Sequence, residues 1–303
     1  MPELPDIELY LHALRPRVIN KTLGRARIVS PFVLRTFDPP IETIEGKRVV
    51  ALRRIGKRIV FEFDTDELFL VVHLMIAGRF RWSDKLGAKP PGKVGLASFD
   101  FEDSGTLLLV ESSPKKRASI HVVRGEEELL KHDPGGMNVL TGDVFDFSSR
   151  LRRENHTVKR SLTDPRFFDG IGNAYSDEIL HAARLSPVKL TSRLTDDEID
   201  RLFSATRSVL STSTDRLLKK FATKFPGPGD VTAFRPEFVV HGKFGKPCPV
   251  CGTLVQRIRF SENEWNYCPR CQTDGKVLAD RSLSRLLKDD WPGTIEELEE
   301  ARR

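Results

Sequence analysis

A chain of 303 residues, 39% of them hydrophobic, is long enough to bury more than one core, and two or three domains are expected. Its 49 lysines and arginines against 43 acids give a net charge of +6, which suits an anionic partner such as nucleic acid. No stretch reaches the roughly 18 uninterrupted apolar residues of a membrane span, and the opening MPELPDIELYLHALRPR is acidic too early for a signal peptide, so a cytosolic chain is expected.

Pro5 and Asp6 start a helix over residues 7–18, with Ile7, Leu11 and Leu14 on one face. From about 22 to 124 short β-type runs follow, among them IVFEF (59–63), LFLVVHL (68–74), RFRW (79–82), ASFDF (97–101) and TLLLVE (106–111). Turn-rich stretches such as DKLGAKPPGK and EDSG separate them, the pattern of an antiparallel sandwich or barrel. Within this region residues 47–58 carry six basic residues and no acid. After GMNVL (136–140) the pattern turns helical, with five basic residues against one acid over 150–160. Helices are expected at Asp177 to Arg184 and at Thr195 to Leu210, the second opening on Thr195 and Glu198 in capping-box spacing. The run FPGPGD (225–230) reads as a linker or mobile loop.

All four cysteines fall between 248 and 271, as two C-x-x-C knuckles, Cys248/Cys251 and Cys268/Cys271, sixteen residues apart. In a cytosolic chain such spacing points to one tetrahedral zinc rather than disulfides, and four thiolates leave no open position for catalysis. The alternating LVQRIRF and EWNYC segments between the knuckles read as a β-hairpin. The expected organisation is an α+β chain: an N-terminal antiparallel β-sandwich (1–135), a helical domain (136–225), a cysteine hairpin (235–275) and a helical, acid-rich tail (276–303).

Three stretches occur in order: Met1-Pro2-Glu3-Leu4-Pro5-Asp6, the run from Asp169 to Glu178 (DGIGNAYSDE), and Cys268-Pro-Arg-Cys271-Gln272. Together they resemble the formamidopyrimidine-DNA glycosylase / endonuclease VIII family of bifunctional base-excision enzymes, over residues 1 to about 273. The resemblance implies a helix–two-turn–helix domain, a zinc finger, and a bacterial, nucleoid-associated monomer acting on damaged double-stranded DNA. It also implies that the amine of Pro2, after methionine removal, attacks the sugar C1′ of the damaged nucleotide, with Glu3 as acid/base partner and Lys57 near the sugar and phosphate. His73 and Asn173 match phosphate-contacting positions, and Ile76 stands at the wedge position of HLMIAG. The residue chemistry is compatible. An α-amine has an ordinary pKa near 8, and attack by a secondary amine yields an iminium that acidifies the C2′ proton for elimination. A nearby cation such as Lys57 favours the neutral amine. Read alone, Asn173 equally suits a helix N-cap, and His73 and Ile76 equally suit the core.

Several positions depart from the family. Asp6 replaces a usual glutamate. In Ser113-Pro-Lys-Lys-Arg117, Lys115 keeps a cation that can face the orphaned base, while Arg117 replaces an aromatic wedge. His241-Gly-Lys243 stands for a common Tyr-Gly-Arg, with His241 and Lys243 as candidate phosphate donors. Asn263, between Glu262 and Glu264, occupies the place of a phosphate-gripping arginine, so either Arg257 or Arg259 substitutes from the neighbouring strand or the grip is weak. Two other readings stand beside the glycosylase/lyase: a non-catalytic damaged-DNA-binding protein of the same fold, and a zinc-ribbon RNA-binding protein, for which Trp265 and Tyr267 are the available aromatics.

Overall fold

The computed structural model describes residues 1–65, 67–260, 263–279 and 292–300. The chain divides into two units, Met1–Pro134 with Thr212–Thr232, and Gly135–Ser211 with Ala233–Arg303.

In the first unit, helix α1 (Leu4–Val18) precedes eight strands: β1 (Thr22–Ile28), β2 (Lys47–Ile55), β3 (Arg58–Phe63), β4 (Leu68–His73), β5 (Gly78–Ser83), β6 (Gly95–Phe101), β7 (Gly105–Glu111) and β8 (Ser119–Arg124). They pair antiparallel in the order β5-β7-β6-β1-β2-β3-β4-β8. β1 and β2 share only Thr22↔Arg48 and Leu23↔Lys47, so the sheet falls into two four-stranded layers hinged there. Alternation along β3 decides which side each residue joins. Ile59, Phe61 and Phe63 enter the main core with Phe80, Phe99, Phe101 and α1, and Phe61 stacks on Phe101 of the opposite layer at 6.4 Å. Val60 faces the other way, into a smaller cluster with Phe69, Val71, Val123 and Leu129 of helix α2 (Glu126–Leu130).

The second unit contains α3 (Val144–Arg152), α4 (Val158–Thr163), α5 (Asn173–Ala182), most of α6 (Asp196–Lys220), the hairpin β9 (Gln256–Phe260) and β10 (Asn263–Tyr267), and α7 (Pro269–Gln272). The mixed α/β fold expected from the sequence is therefore present, with an antiparallel sheet, a helical region and a cysteine-bearing hairpin. The Thr195/Glu198 capping box forms, each side chain accepting from the other's backbone N–H at 3.3 and 3.0 Å. α6 runs ten residues past the expected end at Leu210, because no glycine or proline interrupts 196–220 and the apolar spacing continues to the buried Leu217.

The stretch 225–230 is packed rather than an open linker. Phe225 lies 6.0 Å from the Tyr10 ring and 6.2 Å from Trp82, and Asp230 Oδ2 accepts from the Gly227 N–H. Of the expected helical tail, residues 280–291 and 301–303 lie outside the described residues, and a short helix occupies Ile295–Glu300.

Because Phe61 is buried from both layers, Phe61→Ala should destabilise the protein by about 3–5 kcal/mol in denaturant unfolding. Val50→Ala, at a 41% exposed position on the neighbouring strand, should cost less than about 0.5 kcal/mol.

Candidate active site and cysteine cluster

The start of the chain is held at a fixed place. Glu3 is the N-cap of α1, Pro5 lies in its first turn, and Asp6 Oδ2 accepts from the Glu3 N–H at 2.9 Å. Asp6 thus does the reciprocal work of a capping box, for which a shortened carboxylate suffices. Pro2, Glu3 and Asp6 are all buried. The terminal amine, here on Met1, is pushed below its ordinary value of 8.0 chiefly by burial. Glu3 and Asp6 oppose that shift, and Arg79 and Lys57 add to it. One corner therefore gathers an amine, two carboxylates and two cations, including Pro2, Glu3 and Lys57 from the sequence reading.

Lys57 reaches this corner because Gly56, in the left-handed region at φ 59°, lets β2 turn into β3 in two residues. Arg79 was not anticipated. It is the second residue of β5 and donates from Nε to the Val231 carbonyl at 2.6 Å and from Nη1 to the carbonyls of Gly78 and Ile76 at 2.7 and 3.1 Å. The only sequence signal was an arginine at the head of an otherwise aromatic strand.

His73 ends β4 opposite Arg58 and Ser119. Burial, then Arg58, Lys57 and His121, lowers its pKa to about 4, so near neutral pH it offers one neutral N–H and no charge. The following turn has Met75 at φ 52°, and a Cβ on Gly78 would sit 2.3 Å from the Leu74 carbonyl oxygen, so only glycine closes it. Ile76 at its tip is 54% exposed, beside a cleft of about 230 Å³ lined also by Arg79, Arg81, Val94, Val110, Ser112 and Pro228. Lys115 and Arg117 are exposed in the turn before β8, where Lys115 N–H donates to Ser113 Oγ at 3.3 Å.

In the second unit α5 organises the rest. Asn173 heads the helix, and its side-chain amide donates to the Glu264 carbonyl at 2.9 Å, so it ties the hairpin to α5 rather than capping its own helix. Lys159 is buried and donates to Asp177 Oδ1 at 2.6 Å, to Ser176 Oγ at 2.7 Å and to the Asn173 carbonyl at 2.9 Å. Asp177 Oδ2 lies 2.7 Å from His241 Nδ1 and accepts from the Asn266 N–H. Glu178 accepts the N–H groups of Val239, Val240 and His241 at 2.8–2.9 Å, while burial pushes its carboxyl above the ordinary range. His241 is thus placed inside, with Nδ1 committed to Asp177, while Lys243 Nζ reaches the Pro236 carbonyl at 3.1 Å.

On the hairpin, Glu264 pairs across the ladder with Arg259. Its Oε2 lies 3.1 Å from Arg257 Nη1 and 3.6 Å from Arg259 Nε, and Arg257 also covers the Phe244 ring at 4.1 Å. The acid thus faces two arginines on its own hairpin. Ser261 and Glu262 lie outside the described residues, as does the Asn263 side chain, so the expected departure at the tip has no structural counterpart here.

The cysteines converge behind the hairpin. Cys251 and Cys268 Sγ are 3.4 Å apart and Cys248 and Cys271 Sγ 3.9 Å. Sulfurs about 2.3 Å from one tetrahedral zinc lie roughly 3.8 Å from each other, so the thiols fit the ion. Cys248 and Cys268 pack with Val240 and Val255. Gln272 fixes the second knuckle by accepting from Cys268 N–H at 2.8 Å and donating to the Leu185 carbonyl at 2.9 Å.

Three family signatures match in order. They are the formamidopyrimidine-DNA glycosylase N-terminal domain over residues 1–117, the formamidopyrimidine-DNA glycosylase H2TH domain over 139–221, and a zinc finger found in FPG and IleRS over 245–273. The formamidopyrimidine-DNA glycosylase of Heliobacterium modesticaldum is 30% identical over 278 residues, covering 90% of this chain and all of that one. The MutM (Fpg) protein of Thermus thermophilus superposes with a TM-score of 0.75 at 30% identity, over 89% of this chain and 98% of its own. The Lactococcus lactis enzyme, non-covalently bound to DNA containing an AP site, superposes with a TM-score of 0.77 at 24% identity, over 89% and 99%, a likeness of fold.

Lys159→Met leaves Asp177 buried without its cation, although His241 and the Asn266 N–H remain. Equilibrium unfolding should report a loss of about 3 kcal/mol, the lower end for breaking one side of a buried pair.

Proposed function

This chain belongs to the formamidopyrimidine-DNA glycosylase family, and we propose that it excises a damaged base from duplex DNA and then cuts the strand, with the Pro2 amine as nucleophile. The observation that carries this reading is the N-terminal corner, where the buried Pro2 and Glu3 are pinned by the Asp6 carboxylate at the start of α1 and the terminal amine, here on Met1, has its pKa lowered by burial, Arg79 and Lys57 against the opposing pull of Glu3 and Asp6. A neutral amine can attack C1′. The C1′–N bond to the base breaks and the base leaves with that electron pair and a proton. Opening of the sugar moves the C1′–O4′ pair onto O4′, which takes a proton from Glu3, and leaves an iminium between Pro2 and C1′. Loss of a C2′ proton then expels the 3′ phosphate by elimination, and water releases the enzyme. Lys57 at the hairpin tip suits the sugar or its phosphate, and His73 a phosphate oxygen through a neutral N–H. Ile76, exposed on its turn, suits the gap a flipped nucleotide leaves.

The finger holds one structural zinc, which fixes the fold of the hairpin when bound. We assign its ligands as Cys248, Cys251, Cys268 and Cys271. Asn173, Lys243 and Arg259 are assigned to the DNA backbone, and Lys115 to the orphaned base. His241 contributes by holding the finger to α5 through Asp177.

With borohydride and abasic-site duplex the protein should form a covalent adduct whose terminal peptide begins at Pro2, and Pro2→Gly or a blocked amine should abolish it. Adduct at full yield with a blocked terminus would overturn the proline assignment. The reactive form is the deprotonated one, present above the amine's pKa. Lys57 lowers the pKa of the terminal amine here on Met1, and the same charge beside the Pro2 amine should do likewise, so Lys57→Met should move the midpoint of the pH–trapping profile upward.

The ion pairs on the hairpin generate a second expectation. Glu264→Gln releases Arg257 and Arg259 from their shared carboxylate, so affinity for abasic-site duplex should rise by about 0.2–1 kcal/mol. The salt dependence should steepen by about one counterion. An unchanged affinity and slope in a salt titration would place β9–β10 away from the DNA backbone.

A further inference from the structure

The cysteine cluster has a fifth donor from outside the finger. His181, on the last turn of α5, is buried, and its Nε2 lies 3.4 Å from Cys248 Sγ. The donor atoms of His181, Cys248, Cys268 and Cys271 all lie within 4.8 Å of one another. A nitrogen about 2.0–2.1 Å and a sulfur about 2.3 Å from one tetrahedral zinc are roughly 3.5 Å apart, so the imidazole already stands at ligand spacing from Cys248. Three thiols therefore share two candidates for the fourth position, Cys251 from the first knuckle and His181 from α5.

The two candidates differ in how they are held. Cys251 follows Val250, which is 63% exposed, at the tip of the first knuckle, and is itself half-buried. His181 is built into a helix fixed to the finger's approach by the carboxylates of Asp177 and Glu178 and by Asn173, so the backbone that carries it is anchored by bonds other than those of the first knuckle. Imidazole is an ordinary zinc ligand, and Cys₃His is an ordinary structural set.

We propose that His181 is a reserve ligand of the finger's zinc, completing a Cys₃His set with Cys248, Cys268 and Cys271 when the Cys251 thiolate is unavailable. The proposal rests on the reading of the finger as a zinc site. It gives the finger a second closed coordination sphere, in which α5 itself becomes part of the metal centre. The plainer role, an N–H donated to the Cys248 sulfur from outside the metal, makes the opposite prediction.

The experiment measures metal in full-length wild type, His181→Phe, Cys251→Ala and the double variant, by zinc content after gel filtration and by visible absorption of the cobalt-substituted proteins. Wild type and His181→Phe should each hold one metal with the same cobalt spectrum. Cys251→Ala should still hold one, with at least tenfold weaker affinity and the cobalt bands moved to shorter wavelength, as exchange of a sulfur for a nitrogen requires. The double variant should hold none. A Cys251→Ala protein as empty as the double variant, or one whose metal and spectrum are indifferent to His181→Phe, overturns the proposal. A wild type without zinc overturns the finger reading instead. Should Cys251→Ala fail to fold, zinc-loaded protein is treated with one equivalent of N-ethylmaleimide and the fraction alkylated at Cys251 is identified by peptide mass. That fraction should keep its zinc in the wild-type background and lose it with His181→Phe, and loss in both is the overturning result.

Discussion

Two adjacent carboxylates on α5, Asp177 and Glu178, are the constraint on which the second unit depends. Both are buried, and an unpaired carboxylate there costs several kcal/mol. Each is satisfied by groups from distant parts of the chain. Asp177 takes Lys159 from α4, His241 from the approach to the finger and an N–H from β10, while Glu178 takes three consecutive N–H groups at 239–241. Lys159 satisfies one oxygen of Asp177, while its other oxygen and all of Glu178 depend on the finger and its approach, so the finger's position is tied to the electrostatics of one helix turn. The stretch around these acids lies within the matched H2TH range, and here it has a structural duty as well as a proposed place near phosphate through Asn173.

The first unit solves a different problem, that of holding the end of a chain, ordinarily its most mobile part, in one place. Helix α1 begins almost at once. The Asp6 carboxylate on the Glu3 N–H removes one freedom of the terminus, and the burial of Leu4, Ile7 and Leu11 removes more. Around that fixed point the acids favour the protonated amine, whereas Arg79, Lys57 and the dry surroundings favour the neutral one. The net shift of the Met1 amine is downward, with burial its largest cause.

What was legible in the sequence is what local pattern encodes. The alternating runs became strands, the T-x-x-E signature became a capping box, and the spaced knuckles became a thiol cluster at metal spacing. Pro2 and Glu3 are proposed as catalytic because they stand in one contiguous motif, and Lys57 because it stands in another. What was missed depends on partners far away in sequence. Arg79 acquires its meaning from Val231, 152 residues on, and His181 from Cys248, 67 residues on. His241 looked like a surface donor because nothing nearby announces Asp177. The proline- and glycine-rich 225–230 stretch has the composition of a linker, yet one aromatic in it finds the Tyr10–Trp82 corner. The end of α6 was set too early because apolar spacing alone, without a stop signal, does not reveal where a helix should continue.

Strand β3 carries apolar side chains of opposite duty on successive residues, Ile59 and Phe61 inward and Val60 outward, and each side meets its own packed cluster. Sliding the strand by one residue would exchange every one of them, and no other register hides both sets. Lys57 is the residue just before this strand, the second of a two-residue turn. Its position is therefore encoded by the hydrophobic parity of residues buried in two core clusters. Such an arrangement makes the site tolerant of one class of genetic change and intolerant of another. Point substitutions along the exposed strand faces leave the lysine where it is, whereas a single-codon insertion or deletion between 50 and 60 displaces it or breaks the core. Variation among descendants of this gene should accordingly accumulate there as substitutions, with length held constant.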